Sequence, residues 1–110
     1  MVDETLVQLE AKIRSATALN AEQQAELLRL LQALHAEICA LEHTHAEQAE
    51  SITGFTRVST HEAVRQQKNP QLVELALKGL VSSVEALEAS HPQLVHIVNS
   101  ISVFLANLGI

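Results

Sequence analysis

Apolar residues recur at alternating steps of four and three along this chain, and that spacing constrains the fold more than any other feature. In one segment the steps join Leu27, Leu31, Leu34, Ile38 and Leu41. Because an α-helix turns once in 3.6 residues, the steps place apolar side chains on one face, which packs against neighbouring helices at shallow angles. No stretch alternates with the period of two typical of a strand. The spacing predicts an all-α fold, an antiparallel helical bundle of coiled-coil-like hairpins. The same steps occur in segments 2–16, 73–87 and 94–108.

Capping signals divide the chain into five predicted helices within one domain of residues 1–110. The signals are two capping boxes and two prolines suited to a first helical position: Asn20 with Gln23, Ser59 with Glu62, Asn69-Pro70, and Ser90-His91-Pro92. Only three glycines and two prolines are present, which favours long helices. The predicted helices span about 3–18, 21–53, 59–68, 70–89 and 92–108, and residues 51–58 fit either a helix or a loop.

The second predicted helix is too long for the rest of the chain to cover. At 1.5 Å per residue it spans roughly 50 Å, whereas the first helix spans roughly 22 Å. The apolar face beyond Leu41 must then be buried by the C-terminal helices or by another subunit, since otherwise Ile52 and Phe55 face water. We therefore expect a homo-oligomer, most simply an antiparallel dimer. The predicted interface consists of Leu41, His45, Gln48, Ile52, Phe55, Leu94, Val98, Ile101, Leu105 and Leu108.

The segment EHTHAEQAE, residues 42–50, holds two histidines and three glutamates. Continued apolar stepping puts His45 on the buried face and His43 about 200° away, so one regular helix cannot direct both to one metal. Two interpretations of His45 remain open. With Gln48 it forms a polar layer that fixes the register of the packed helices. Alternatively, Glu42 and His45 have the Glu-x-x-His spacing of carboxylate-bridged di-iron bundles and bind iron or zinc together with the same pair from a second subunit.

Charge argues against two classes of partner. The chain has 13 acidic and 7 basic side chains, a formal net charge of -6, with nine acids and three bases in residues 1–50. An acidic first half repels phosphate and the second half has no cluster of bases, so we expect no nucleic-acid binding. Residues 89–110 carry no Asp, Glu, Lys or Arg, but a polar stripe along this predicted helix argues against a membrane span. Since no Lys or Arg supports a helix lying on a membrane surface either, we expect no membrane association.

Nothing in the sequence is typical of an enzyme. There is no nucleophile with its base and orienting group and no glycine-rich phosphate loop. His35 and Cys39 lie one helical turn apart, but zinc takes four ligands or three plus water. The single cysteine cannot form an intrachain disulfide, and no export signal opens the chain, so we expect a cytoplasmic protein. We expect no enzymatic activity, no catalytic residue and no cofactor.

The C-terminal sequence LEASHPQLVHIVNSISVFLANLGI resembles the signature of a family of short bacterial helical proteins known only as a domain of unknown function. The matching elements are His91-Pro92 with Leu94, then Asn99, and the ending Leu105 to Ile110. The early AEQQAELLRLLQAL is also similar to that family's early helix. The resemblance implies a bacterial, cytoplasmic, all-helical protein without assigned activity, and it transfers no catalytic or metal residue.

Together these features favour a non-enzymatic helical module that assembles with itself or with a protein partner. A metal-binding bundle that uses Glu42 and His45 from two subunits is the alternative function.

Overall fold

The structure, a computed structural model, describes residues 3–109, and these form α-helices joined by short turns. The elements in chain order are α1 (Asp3–Ser15), α2 (Ala21–Leu41), α3 (Ala46–Val64), α4 (Pro70–Val84), a single 3₁₀ turn (Glu85–Leu87) and α5 (Pro92–Gly109). No strand occurs between residues 3 and 109, and the predicted all-α fold is confirmed. Val2, which begins the first series of apolar steps, and Ile110, which ends the family signature, lie outside the described residues.

Local capping chemistry sets the starts of α2 and α4, as the sequence predicts. The backbone N–H of Gln23 donates to the Asn20 side chain at 2.8 Å, and the Asn20 N–H donates to the Gln23 side chain at 3.0 Å. This capping box satisfies donors that a helix start otherwise leaves unpaired. The Asn69 side chain accepts from two backbone N–H groups at the start of α4, where Pro70 needs no hydrogen bond.

The predicted long helix 21–53 is wrong, because α2 ends at Leu41 and the chain turns before α3 begins. The Leu41 carbonyl accepts from the backbone N–H groups of both Thr44 and His45, at 3.1 and 2.8 Å. His45 itself has a non-helical backbone, with φ -137° and ψ 61°. The helix ends here because the dihedral angles of His45 lie outside the helical range, and the two bonds to Leu41 satisfy its last carbonyl. Since no side chain caps α3, the sequence carries no start signal there.

The predicted helix 59–68 is also wrong, because residues 46–64 form one continuous helix that includes segment 51–58. The hydroxyls of Thr53 and Thr56 donate to the carbonyls four residues earlier, so their hydrogen bonds are made within the helix. The predicted capping box of Ser59 and Glu62 therefore falls inside α3, where Ser59 is fully buried. The other boundaries differ by a few residues: α1 ends at Ser15, not 18, and the 3₁₀ turn replaces the predicted end of the fourth helix.

The bundle is built around α5, which contacts α2, α3 and α4, while α1 packs on α2 and α3. The stepped apolar residues of α2 and α5 form its centre, each at most 1 % exposed: Leu27, Leu31, Leu34, Ile38, Leu41, Leu94, Val98, Ile101 and Leu105. The described chain measures 37 × 26 × 19 Å. Folding α3 back after the turn therefore covers the apolar face that an uninterrupted helix would leave in water.

The homo-oligomer was expected because apolar residues beyond Leu41 would otherwise face water. For most residues of the predicted interface that reason no longer holds. Leu41, Ile52, Leu94, Val98, Ile101 and Leu105 are buried inside the single chain, and Leu108 is half-buried against the same core. Gln48 is exposed, His45 is half-buried, and Phe55 retains 40 % of its surface. Among these residues the exposed Phe55 ring is the one apolar group that still offers a surface to another molecule.

Candidate functional site

The described residues have six large apolar side chains in solvent, and four of them lie together on α3 and α4. These are Phe55, Val58, Leu72 and Leu75, exposed by 40, 47, 40 and 67 %. With Ala76 and Glu62 they line a shallow cavity of about 200 Å³. We call this set of four side chains the α3–α4 apolar surface.

The α3–α4 hairpin explains how the apolar surface forms. Phe55 lies nine residues before the end of α3 and Gly79 nine residues after the start of α4, and the two are in contact, so the helices run antiparallel. Steps of three join Phe55 to Val58 on one helix and Leu72 to Leu75 on the other. Residues at this spacing share a helix face, so both pairs project to the same side of the hairpin.

Gly79 fixes the position of the Phe55 ring. A Cβ atom built at Gly79 would overlap three carbons of that ring, which shows that the ring lies directly on the α4 backbone. Small residues permit such close approach. The buried side of the ring thereby packs on α4 while its other side stays in solvent.

Charges of both signs border the apolar surface. Glu62 lines the cavity and accepts from Arg65 at 2.8 Å, so a carboxylate and a guanidinium lie beside the apolar side chains. An apolar centre with a mixed polar rim is the usual composition of a protein–protein interface.

The predicted metal residues Glu42 and His45 lie in and beside the turn between α2 and α3. The structure brings His45 to His91, with ring centroids 5.3 Å apart and the rings nearly perpendicular. Each imidazole Nδ1 also contacts the hydroxyl of the preceding residue at 2.8 Å, Thr44 for His45 and Ser90 for His91. Sequence reasoning missed this pair, because the two residues lie on different turns that only the folded bundle brings together.

Within residues 3–109 no group of three or more His, Cys, Asp or Glu side chains is placed to hold a metal ion. The single helix face predicted to carry His45 and Gln48 is wrong, because α2 ends before His45 and Gln48 lies on α3; a polar layer of the two between subunits stays a prediction.

His35, Cys39 and Asp3 form a second polar cluster, on α1 and α2. The Cys39 Sγ lies 3.6 Å from Nε2 and 4.0 Å from Nδ1 of His35, and Asp3 Oδ1 lies 3.0 Å from the same Nε2. A catalytic relay instead needs the nucleophile and the orienting carboxylate on opposite ring nitrogens. Here the shorter thiol contact and the carboxylate both fall on Nε2, so the arrangement is not that of such a relay.

The relation of this chain to known proteins rests on one match. Comparisons with curated proteins and with solved structures found no match. In the part of the chain that the structure describes, no helix has the length and hydropathy to cross a membrane. A family model described as a domain of unknown function, DUF4404, matches residues 27–110, from within α2 to the end of the chain. That range includes the α3–α4 apolar surface and covers more than three quarters of the sequence. The chain therefore belongs to the DUF4404 family.

Proposed function

We propose that this protein is a non-enzymatic helical interaction module that pairs with a second copy of itself through the α3–α4 apolar surface. The observation that carries the proposal is the concentration of exposed apolar side chains there. Isolated apolar side chains on a surface are ordinary, but a contiguous group rimmed by polar residues marks an interaction site. The proposal places the module in the cytoplasm, where a reducing environment keeps Cys39 as a thiol.

The size of the surface predicts a reversible dimer. With side-chain areas of about 150–200 Å², the four exposed fractions leave on the order of 300 Å² of apolar surface, within the range of functional patches on monomers. Burying it on both copies contributes on the order of 15 kcal/mol at about 25 cal/mol per Å². Association itself costs about 4–15 kcal/mol, which leaves at most about 11 kcal/mol, and a micromolar dissociation constant, about 8 kcal/mol, falls within that range.

Charge around the surface supports a second copy as the occupant. A twofold axis brings the same surface of each copy together, so a self-pairing surface must match itself. The rim meets this condition at the Arg65–Glu62 pair, which carries both signs beside the apolar side chains. A surface for a strongly charged partner would instead carry one sign. The net charge of -6 on each copy opposes pairing at long range, so added salt should strengthen the dimer.

Sedimentation equilibrium across micromolar concentrations tests the proposal. We expect a monomer–dimer equilibrium that shifts towards the dimer in higher salt. Leu75→Glu, which places a carboxylate at the centre of the apolar surface, should reduce the association constant at least a hundredfold, since burying an unpaired charge is costly.

Val7→Glu is the matched control, because Val7 on α1 is 60 % exposed and lies outside the apolar surface. It should leave the association constant unchanged. A chain that remains monomeric at all concentrations, or a Leu75→Glu variant that pairs like the parent, would contradict the proposal.

A further inference from the structure

A pocket between the C-terminal ends of α1 and α3 collects cationic and hydroxyl side chains, and it shares only Arg65 with the rim of the apolar surface. It has a volume of about 360 Å³ and is lined by Lys12, Ser15, Ala16, Thr17, His61, Val64, Arg65 and Gln66. None of these lining residues is Asp or Glu, although the chain has thirteen acidic side chains. The lining is therefore basic, and one carboxylate, that of Glu62, lies against two of its residues, Arg65 at 2.8 Å and His61 at 3.8 Å.

The donors of the pocket are held in place by specific contacts. The Lys12 ammonium donates to Nδ1 of His61 at 2.8 Å, which joins α1 to α3 across the pocket. Because Nδ1 accepts this bond, the neutral imidazole carries its proton on Nε2, which lies 3.8 Å from the Glu62 carboxylate. Arg65 contacts Glu62 through Nη1 at 2.8 Å, and Glu62 is only 12 % exposed, so one nitrogen is anchored while guanidinium donors remain.

We propose that this pocket binds a small phosphate monoester. Lys12 and Arg65 present N–H donors to a doubly negative group, and the Ser15 and Thr17 hydroxyls and the Gln66 amide add neutral hydrogen bonds. Arg and Lys are the side chains best suited to phosphate oxygens. The volume exceeds that of inorganic phosphate and lies at the low end of small-ligand pockets, and the apolar walls Ala16 and Val64 suit a short organic group.

The position of Lys12 at the end of α1 gives a second explanation for its presence beside the pocket. Lys12 and Arg14 are both in the last turn of α1, where cations offset the partial negative charge of a helix C-terminus. If that were the whole role of Lys12, then Arg14 would be equivalent to it. Arg14 does not line the pocket, so it is the matched control.

Amide chemical-shift titrations at constant ionic strength test the proposal, with inorganic phosphate, glycerol 3-phosphate and acetate as probes. We expect saturable shifts at the amides of residues 15–17 and 66, with glycerol 3-phosphate bound more tightly than phosphate and acetate bound weakest. Lys12→Gln should weaken glycerol 3-phosphate binding about tenfold, as expected for the loss of a charge-assisted hydrogen bond. Arg14→Gln should leave it unchanged.

Thr17→Glu is a second variant that removes no existing contact. It puts a carboxylate into the pocket from an exposed position and should abolish binding while the melting temperature stays close to that of the parent. Equal affinity for acetate and both phosphates, equal effects of Lys12→Gln and Arg14→Gln, or the absence of saturable shifts would each overturn the proposal. None of these measurements depends on dimer formation, so the pocket and the apolar surface are tested separately.

Discussion

Replacing Ile52 by alanine tests whether α3 belongs to the core of the single chain. Ile52 has no exposed surface and lies in α3 after the turn that divides the predicted long helix. The substitution removes three carbon groups, each worth about 0.8 kcal/mol on transfer from water. The cavity left in a packed interior adds to this loss, and such substitutions cost about 2–5 kcal/mol in all. We expect a loss of about 3–4 kcal/mol, a large part of the stability of a domain of this size.

Urea unfolding at two widely separated protein concentrations measures this loss. If Ile52 is buried by its own chain, the loss in free energy of unfolding is the same at both concentrations. If Ile52 were buried between subunits, the apparent loss would depend on concentration, because dimerisation is linked to folding. A loss below about 1 kcal/mol, or one that changes with concentration, would refute the reasoning that folds α3 back onto α2 and α5.

Three further predictions concern single contacts. Gly79→Ala should destabilise the fold by about 1–3 kcal/mol in chemical unfolding, because its Cβ overlaps the Phe55 ring. A Phe55→Ala background should remove most of that effect, and an equal loss in both backgrounds would contradict the contact. Asn20→Ala should lower the free energy of unfolding by about 1 kcal/mol, because the capping box is lost. An unchanged Tm would contradict this expectation. The side-chain hydrogen bond from Arg29, together with its positive charge, lowers the pKa of Glu26. Any stabilisation by the pair is therefore present above the ordinary pKa of glutamate and is lost as the pH falls through the lowered pKa. Arg29→Gln should therefore raise the pKa of Glu26 in an NMR titration of its side-chain carboxyl carbon, and an unchanged titration midpoint would show that the pair does not persist in solution.

Signals that act within one helical turn could be read from the sequence alone. The capping box of Asn20 and Gln23 and the proline at position 70 begin helices in the structure where the sequence predicts them. The stepped apolar residues of α2 and α5 are the core of the bundle. These features could be predicted because capping and the 3.6-residue period depend on neighbouring residues and not on the rest of the fold.

The break between α2 and α3 could not be read in the same way. The steps of four and three that end at Leu41 reach Ile52 through the polar positions His45 and Gln48, and Ile52 is buried because both helices turn an apolar face to one core. The buried face of α3 also includes Thr56, Ser59 and Thr60, whose small polar side chains give no apolar periodicity. As a result, the sequence predicted one long helix and an interface most of whose residues the single chain buries.

The sequence by itself determined the helical class, the starts of two helices and the core faces of α2 and α5, because each depends on short-range spacing. The tertiary structure decided where the chain turns back and which apolar residues remain in solvent. It also decided which distant polar groups meet, as Lys12 meets His61 on α3 and His45 meets His91. These contacts join residues far apart in the chain, so they depend on how the helices pack and not on any local pattern.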